Sequence, residues 1–202
     1  MSTLEKRYVW DPVTRLWHWS LACTVIAGWC FGEFMSFTNI QWHFYSGYGV
    51  LGLLTFRLLW GTIGPKPARL GALVFTPRDT VRYAATLRSR DPSGTPGHNP
   101  LGSLSIIAMF ILLAAQAGSG LFIESDDFFE SGPLAHWVSE DTTLWLSSWH
   151  YTLSRGIAAV VLLHVAAVLY YLLWKRENLI AAMFSGWKWV KPDRTDGPSN
   201  PG

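Results

Sequence analysis

Four of the six histidines, His18, His43, His150 and His164, stand inside long apolar stretches. An ionisable side chain in such a setting is costly and calls for a partner. His150 and His164 share one stretch, and on a helix their spacing puts them ~21 Å apart along the axis and about 40° apart around it. They therefore occupy one face at two depths. His18 belongs to the inner part of the first stretch and His43 to the outer end of the second, so depth pairs His18 with His164 and His43 with His150. A single zinc ion needs its ligands around one point, which that separation forbids. A proton relay would use carboxylates within the apolar cores, and the cores hold none; Glu33 is the nearest and sits at an outer end. Two stacked pairs of imidazoles suit two b-type haems, an inner iron held by His18 and His164 and an outer iron by His43 and His150. Any one of these histidines alone could be satisfied by a backbone carbonyl; the pairing carries the expectation.

Other side chains fit around such sites. Arg15 and Arg57 near the inner pair, and Arg155 near the outer pair, are candidates to bind haem propionates. For Arg15 and Arg57, snorkelling to lipid headgroups is the competing account, whereas Arg155 is the only Lys or Arg on the outer half. Ser46, Gly49 and Gly52 recur at a three-residue spacing, which lets a flat ring or a neighbouring helix come close. His98 and His136 fall outside the apolar cores and read as interfacial residues, either able to accept a proton beside a quinone. Cys23 and Cys30 read as helix-packing residues, and without a C-x-x-C-H no covalent haem attachment is expected. No residue is assigned a catalytic role.

These side chains need helices to hold them. The chain has 202 residues, half of them hydrophobic and 15% charged, against about 25% charged in a soluble domain. A span needs about 20 apolar residues, and four segments qualify, at about 12–35, 40–63, 100–123 and 142–174. Asp11-Pro12 reads as an N-cap and first-turn proline, Gly64-Pro65-Lys66-Pro67 as a breaker, Asn99-Pro100 as the start of the third helix and Asp141 as the cap of the fourth. The fourth is long enough to project beyond the bilayer at its outer end. Arg15, Trp17 and His18 inside the first stretch argue against a cleaved signal. The fold class expected is an all-α membrane protein, a four-transmembrane-helix bundle occupying residues 1–191, with a disordered Gly/Pro/Ser-rich tail at 192–202. Thr76-Pro77-Arg78-Asp79 begins a short surface helix, and Asn178 to Val190 reads as a second one with an apolar face.

Orientation follows from the basic residues. Lys6, Arg7 and Arg15 lie at the first end, Lys66, Arg69, Arg78, Arg82, Arg88 and Arg90 in the second loop, and Lys175, Arg176, Lys188, Lys191 and Arg194 at the last end, while residues 36–39 and 124–140 carry none. Both termini are therefore expected on the cytoplasmic side of the membrane. The 12 tryptophans fall near the two expected interfaces, Trp10, Trp17, Trp19, Trp60, Trp174, Trp187 and Trp189 inside and Trp29, Trp42, Trp137, Trp145 and Trp149 outside. The outer face is acidic: Glu33, Glu124, Asp126, Asp127, Glu130, Glu140 and Asp141. It offers a docking surface for a basic periplasmic c-type cytochrome or another redox protein, although external loops that merely lack positive charge would look the same. A net charge of +2 excludes nucleic acid as a partner.

The run Val9-Trp10-Asp11-Pro12-Val13-Thr14-Arg15-Leu16-Trp17-His18-Trp19 resembles the opening of the bacterial cytochrome b561 and nickel-iron hydrogenase cytochrome b family. Arg57-Leu58-Leu59-Trp60-Gly61, Gly97-His98-Asn99-Pro100-Leu101-Gly102 and Arg176-Glu177-Asn178-Leu179 are similar to later motifs of that family, so the likeness spans about residues 8–190. The resemblance implies a four-helix bundle with two b haems that passes electrons between quinones and periplasmic or membrane-bound partners. An electron-transfer subunit between the quinone pool and a redox partner is the function expected. The alternative is a stand-alone oxidoreductase such as a superoxide:quinone oxidoreductase, which the acidic outer face disfavours unless Arg155 makes a local positive patch.

Overall fold

The computed structural model describes residues 4–125 and 129–192. Asp126, Asp127, Arg194 and the expected tail from residue 193 lie outside the described residues. In chain order the elements are β1 (Glu5–Tyr8), α1 (Pro12–Glu33), α2 (Ile40–Ile63), α3 (Pro77–Ala85), α4 (Pro100–Gly120), β2 (Glu124–Ser125), β3 (Glu130–Ser131), α5 (Glu140–Leu173), α6 (Leu179–Ser185) and β4 (Trp187–Val190), with short 3₁₀ turns between them.

Three of the four long helices start where a side chain takes up an orphan amide of the first turn, whereas α2 begins at Ile40 without a side-chain cap. Asp11 accepts from Thr14 N at 3.0 Å and Asn99 from Gly102 N at 2.7 Å, each followed by a proline at the first helical position. The cap of α5 is Ser139, which accepts from Thr142 N, and not Asp141 as the sequence suggested. Asp141 instead lies with Glu140 in the first turn, where the helix dipole favours an anion. α2 stops at Gly64 before the proline breaker.

α1 packs on α2, α2 on α4, and α4 on α5. All four meet in one apolar layer: Val50 and Leu54 of α2, Leu113 and Ala117 of α4 and Ile157 of α5 are buried, with Leu21 and Val25 of α1 against them. Elsewhere the ordinary arrangement is inverted. Leu16, Leu162, Leu163 and Leu173 are 67–77% exposed, while Arg57 and Ser103 are buried. Exposed apolar surface on this scale fits an apolar solvent. α4 and α5 each carry a window apolar enough to cross a membrane. α1 and α2 match them in length, with 22 and 24 residues, but histidine, arginine, serine and glycine dilute their hydropathy.

At the end of the molecule that carries β1, the structure departs from the sequence expectation. Asn178 to Val190 is not one helix. α6 ends at Gly186, whose φ of 86° is the left-handed cap conformation that favours glycine. The alternation Trp187-Lys188-Trp189-Val190 then forms β4, with Lys188 and Val190 buried and both tryptophans exposed. β4 pairs antiparallel with β1, Glu5 opposite Val190 and Tyr8 opposite Trp187. α3 begins as expected, Thr76 accepting from Asp79 N. Trp10 is no interface residue: it is buried with Val9, Ala182 and Val190 beneath the sheet.

Candidate functional site

α2 and α5 bring the imidazoles of His43 and His150 face to edge, with ring centroids 6.0 Å apart. The Nδ1 atom of each is already committed. His43 Nδ1 lies 2.9 Å from Gly28 O, an acceptor only, so Nδ1 carries the proton. His150 Nδ1 lies 3.0 Å from Ser119 Oγ, whose own hydrogen is donated to Gln116 O; Ser119 therefore accepts, and His150 Nδ1 is also protonated. Both Nε2 atoms keep their lone pairs. Metal-bound histidines are held in this way, the second nitrogen fixing tautomer and ring orientation, and the separation leaves space for a metal with bonds of about 2 Å to each ring.

Glycines make room for the two rings. A Cβ at Gly32 would meet His43 Cε1 at 3.0 Å, and one at Gly120 would meet His150 Cε1 at 3.2 Å. Gly49 admits Thr24 of α1 and so serves helix packing, whereas Gly47 and Gly52 face open space. Around the pair lies a cavity of about 640 Å³, lined by residues including Gly28, Gly47, Gln116 and Ala117. That volume is in the range of small-molecule and cofactor sites, roughly 300–1,000 Å³. Gln116 Oε1 is enclosed there without a partner. Two bare Nε2 atoms and a cavity of this size fit a b haem.

Arg155 and Glu33 line the mouth of the same cavity and form an ion pair at 3.0 Å that links α5 to α1. Arg155 also reaches Tyr151 OH at 3.3 Å. Beside them, Gln41 donates to Glu130 at 2.7 Å. The one Lys or Arg of the outer half thus has a carboxylate partner.

His18 of α1 and His164 of α5 lie within electrostatic reach of each other, and His18 Nδ1 is enclosed without a hydrogen-bond partner. Trp17 anchors α1 to α2 by donating to Leu53 O at 2.8 Å, and its ring lies 5.5 Å from the Arg57 guanidinium. Arg15 donates to Phe184 O on α6. His136 is exposed in the turn before α5.

His98 is the residue the sequence undervalued. Its ring packs at a tilt against Trp10, with centroids 4.6 Å apart, and its Nδ1 is enclosed without a partner. Burial first, then the nearby Arg57, Lys188 and His18, push its pKa down to about 4, so it is neutral. The loop before it is fixed by a buried ion pair, Lys188 with Glu177 at 3.0 Å. Glu177 accepts from Ser93 N at 2.9 Å and from Ser93 Oγ at 2.6 Å, and Lys188 donates to Gly97 O at 3.2 Å. Burial opposes ionisation of Glu177, but Lys188 and Ser93 outweigh it and hold the carboxyl below its ordinary range.

The sequence signature of the prokaryotic cytochrome b561 family matches residues 9–186. The chain belongs to that family, and is by that membership an integral membrane protein that binds b-type haem for electron transfer. It is 27% identical to the probable Ni/Fe-hydrogenase B-type cytochrome subunit of Azotobacter vinelandii, over 94% of this chain and 91% of that protein. The protein of the same description from Cupriavidus necator is 26% identical, over 94% of this chain and 89% of its own length. No solved structure matches the chain.

Proposed function

We propose that this chain is a four-span, di-haem cytochrome b that carries electrons across the bacterial inner membrane between the quinone pool and a redox protein on the outer side. The observation that supports this most is the His43–His150 pair, two imidazoles with bare Nε2 atoms facing across a cavity. His18 and His164 are assigned to the inner iron, with Arg15 and Arg57 near its propionates and Arg155 near those of the outer haem. A haem supplies a one-electron iron couple. Two histidines of the chain would hold each iron, and with both of them bound the haems would serve outer-sphere electron transfer. Leu54, Leu113 and Ile157 form a buried apolar layer shared by α2, α4 and α5. Pairing of β1 with β4 supports placing both ends of the chain on one side, and the Lys/Arg distribution makes that side cytoplasmic.

The partner on the outer side is a redox protein that meets Glu124, Glu130, Glu140 and Asp141; the names of the relatives point to a hydrogenase, and the acidic charge suits a basic cytochrome c as well. The superoxide alternative needed a positive patch at Arg155, and the ion pair with Glu33 neutralises it. Proteoliposomes given a reduced quinone and an impermeant outer electron acceptor test the proposal. Transfer should occur and should fail in both His43→Ala and His164→Ala. Undiminished transfer in either variant would contradict a relay through both levels.

A further inference from the structure

Arg57 is only 5% exposed, and its Nη1 is enclosed with no hydrogen-bond partner. Asp11 is within electrostatic reach, but it spends its oxygens on the α1 cap, one on Thr14 N and the other on the Thr14 hydroxyl. An enclosed cation without an acceptor is unfavourable unless an anion joins it. His98, from a different element, is within electrostatic reach of both Arg57 and His18. Its Nδ1 is likewise enclosed and unpartnered, while Trp10 packs at a tilt against the ring. Lys188, the other cation nearby, is already paired with Glu177. Two side chains that can donate hydrogen bonds thus lie within electrostatic reach of each other, and His98 of His18 as well; among the described residues neither Arg57 Nη1 nor His98 Nδ1 has an acceptor.

We propose that His98 and Arg57 form a carboxylate clamp that binds a propionate of the inner haem. This rests on the assignment of His18 and His164 to that haem. A carboxylate suits the planar guanidinium fork and takes a second hydrogen bond from the imidazole. A quinone carbonyl would also accept, but being uncharged it would add nothing to the partial counter-charge that Asp11 gives the buried guanidinium.

Hydrogen bonds and charge around a haem are among the controls on its potential. Removing a donor from the propionate leaves more negative charge near the iron, stabilises the ferric form and lowers the midpoint. Potentiometric titration of the purified holoprotein, followed optically, should show one midpoint lowered in His98→Phe and the other unchanged. The shifted haem should be the one absent from His164→Ala. His98→Gln, which keeps an N–H donor, should recover most of the shift, and Arg57→Lys should give a smaller shift than Arg57→Met. If His98→Phe destabilises the site, loss of that same haem supports the clamp, and loss of the other overturns it. Unchanged midpoints in His98→Phe would overturn it, including the case where only reaction with quinone is lost. Should His164→Ala lose no haem at all, the inner-site assignment itself fails, which is a separate result.

Discussion

The outer histidine pair is held by neighbours that contribute no charge. Gly32 leaves space for the edge of His43, so Gly32→Ala would set a methyl 3.0 Å from Cε1 and 3.2 Å from Nδ1. The ring must give by a few tenths of an ångström, which strains its hydrogen bond to Gly28 O and its aim toward a metal. The expected outcome is loss of one haem per chain, read by pyridine haemochrome assay, with the second retained. Ser119→Ala removes the acceptor that fixes the His150 tautomer. Deleting such an outer-shell partner costs roughly 10–100-fold in metal affinity, so this variant should lose the outer haem faster than wild type in a haem-transfer assay. The histidines themselves were legible because imidazole is rare in an apolar run and its spacing fixes depth. Their partners were not. Ser119 sits in a small-residue run that reads as helix packing, and Gly28, Gly32 and Gln116 acquire roles only when three helices converge. His98 looked interfacial because a loop sequence does not show what covers it.

Among the elements, the long helices were readable from apolar runs bounded by capping side chains and prolines, and α1, α2, α4 and α5 begin within two residues of the positions those signals mark. The terminal sheet was not readable, since β1 and β4 are four residues each and depend on pairing between distant parts of the chain. Trp187 to Val190 follows an apolar helix, and only the left-handed Gly186 separates them. The sheet is locked to the loop before α4 by Glu177 and Lys188, whose side chains are both 5% exposed. Glu177→Ala would strand a buried ammonium and should destabilise this end by about 3–5 kcal/mol in reversible unfolding. Because the folded carboxyl titrates below its ordinary value near 4.5, its stabilisation is complete above that pH and is lost as pH falls through the folded pKa. Melting temperature should therefore fall on acidification below about pH 4.5, with a smaller fall in Glu177→Gln.

For the whole molecule, the proposed function makes two levels of histidines ~21 Å apart a conduit with distinct ends. In the same proposal β1–β4 pairing and the basic loops would set its direction relative to the membrane. A protease site added after Gly202 should resist cleavage in right-side-out spheroplasts and be cut in inverted vesicles; the reverse pattern would contradict the orientation. Composition made the membrane class legible, whereas partner identity resides in surface detail that one sequence does not encode.

The account depends most directly on two haems held by two separate pairs. The decisive measurement is a reduced-minus-oxidised optical spectrum with haem quantified per chain, for the wild type, His43→Ala and His164→Ala. Two b haems in the wild type, with each variant losing a different one, is the predicted result. One haem in the wild type, or the same haem lost from both variants, would contradict it.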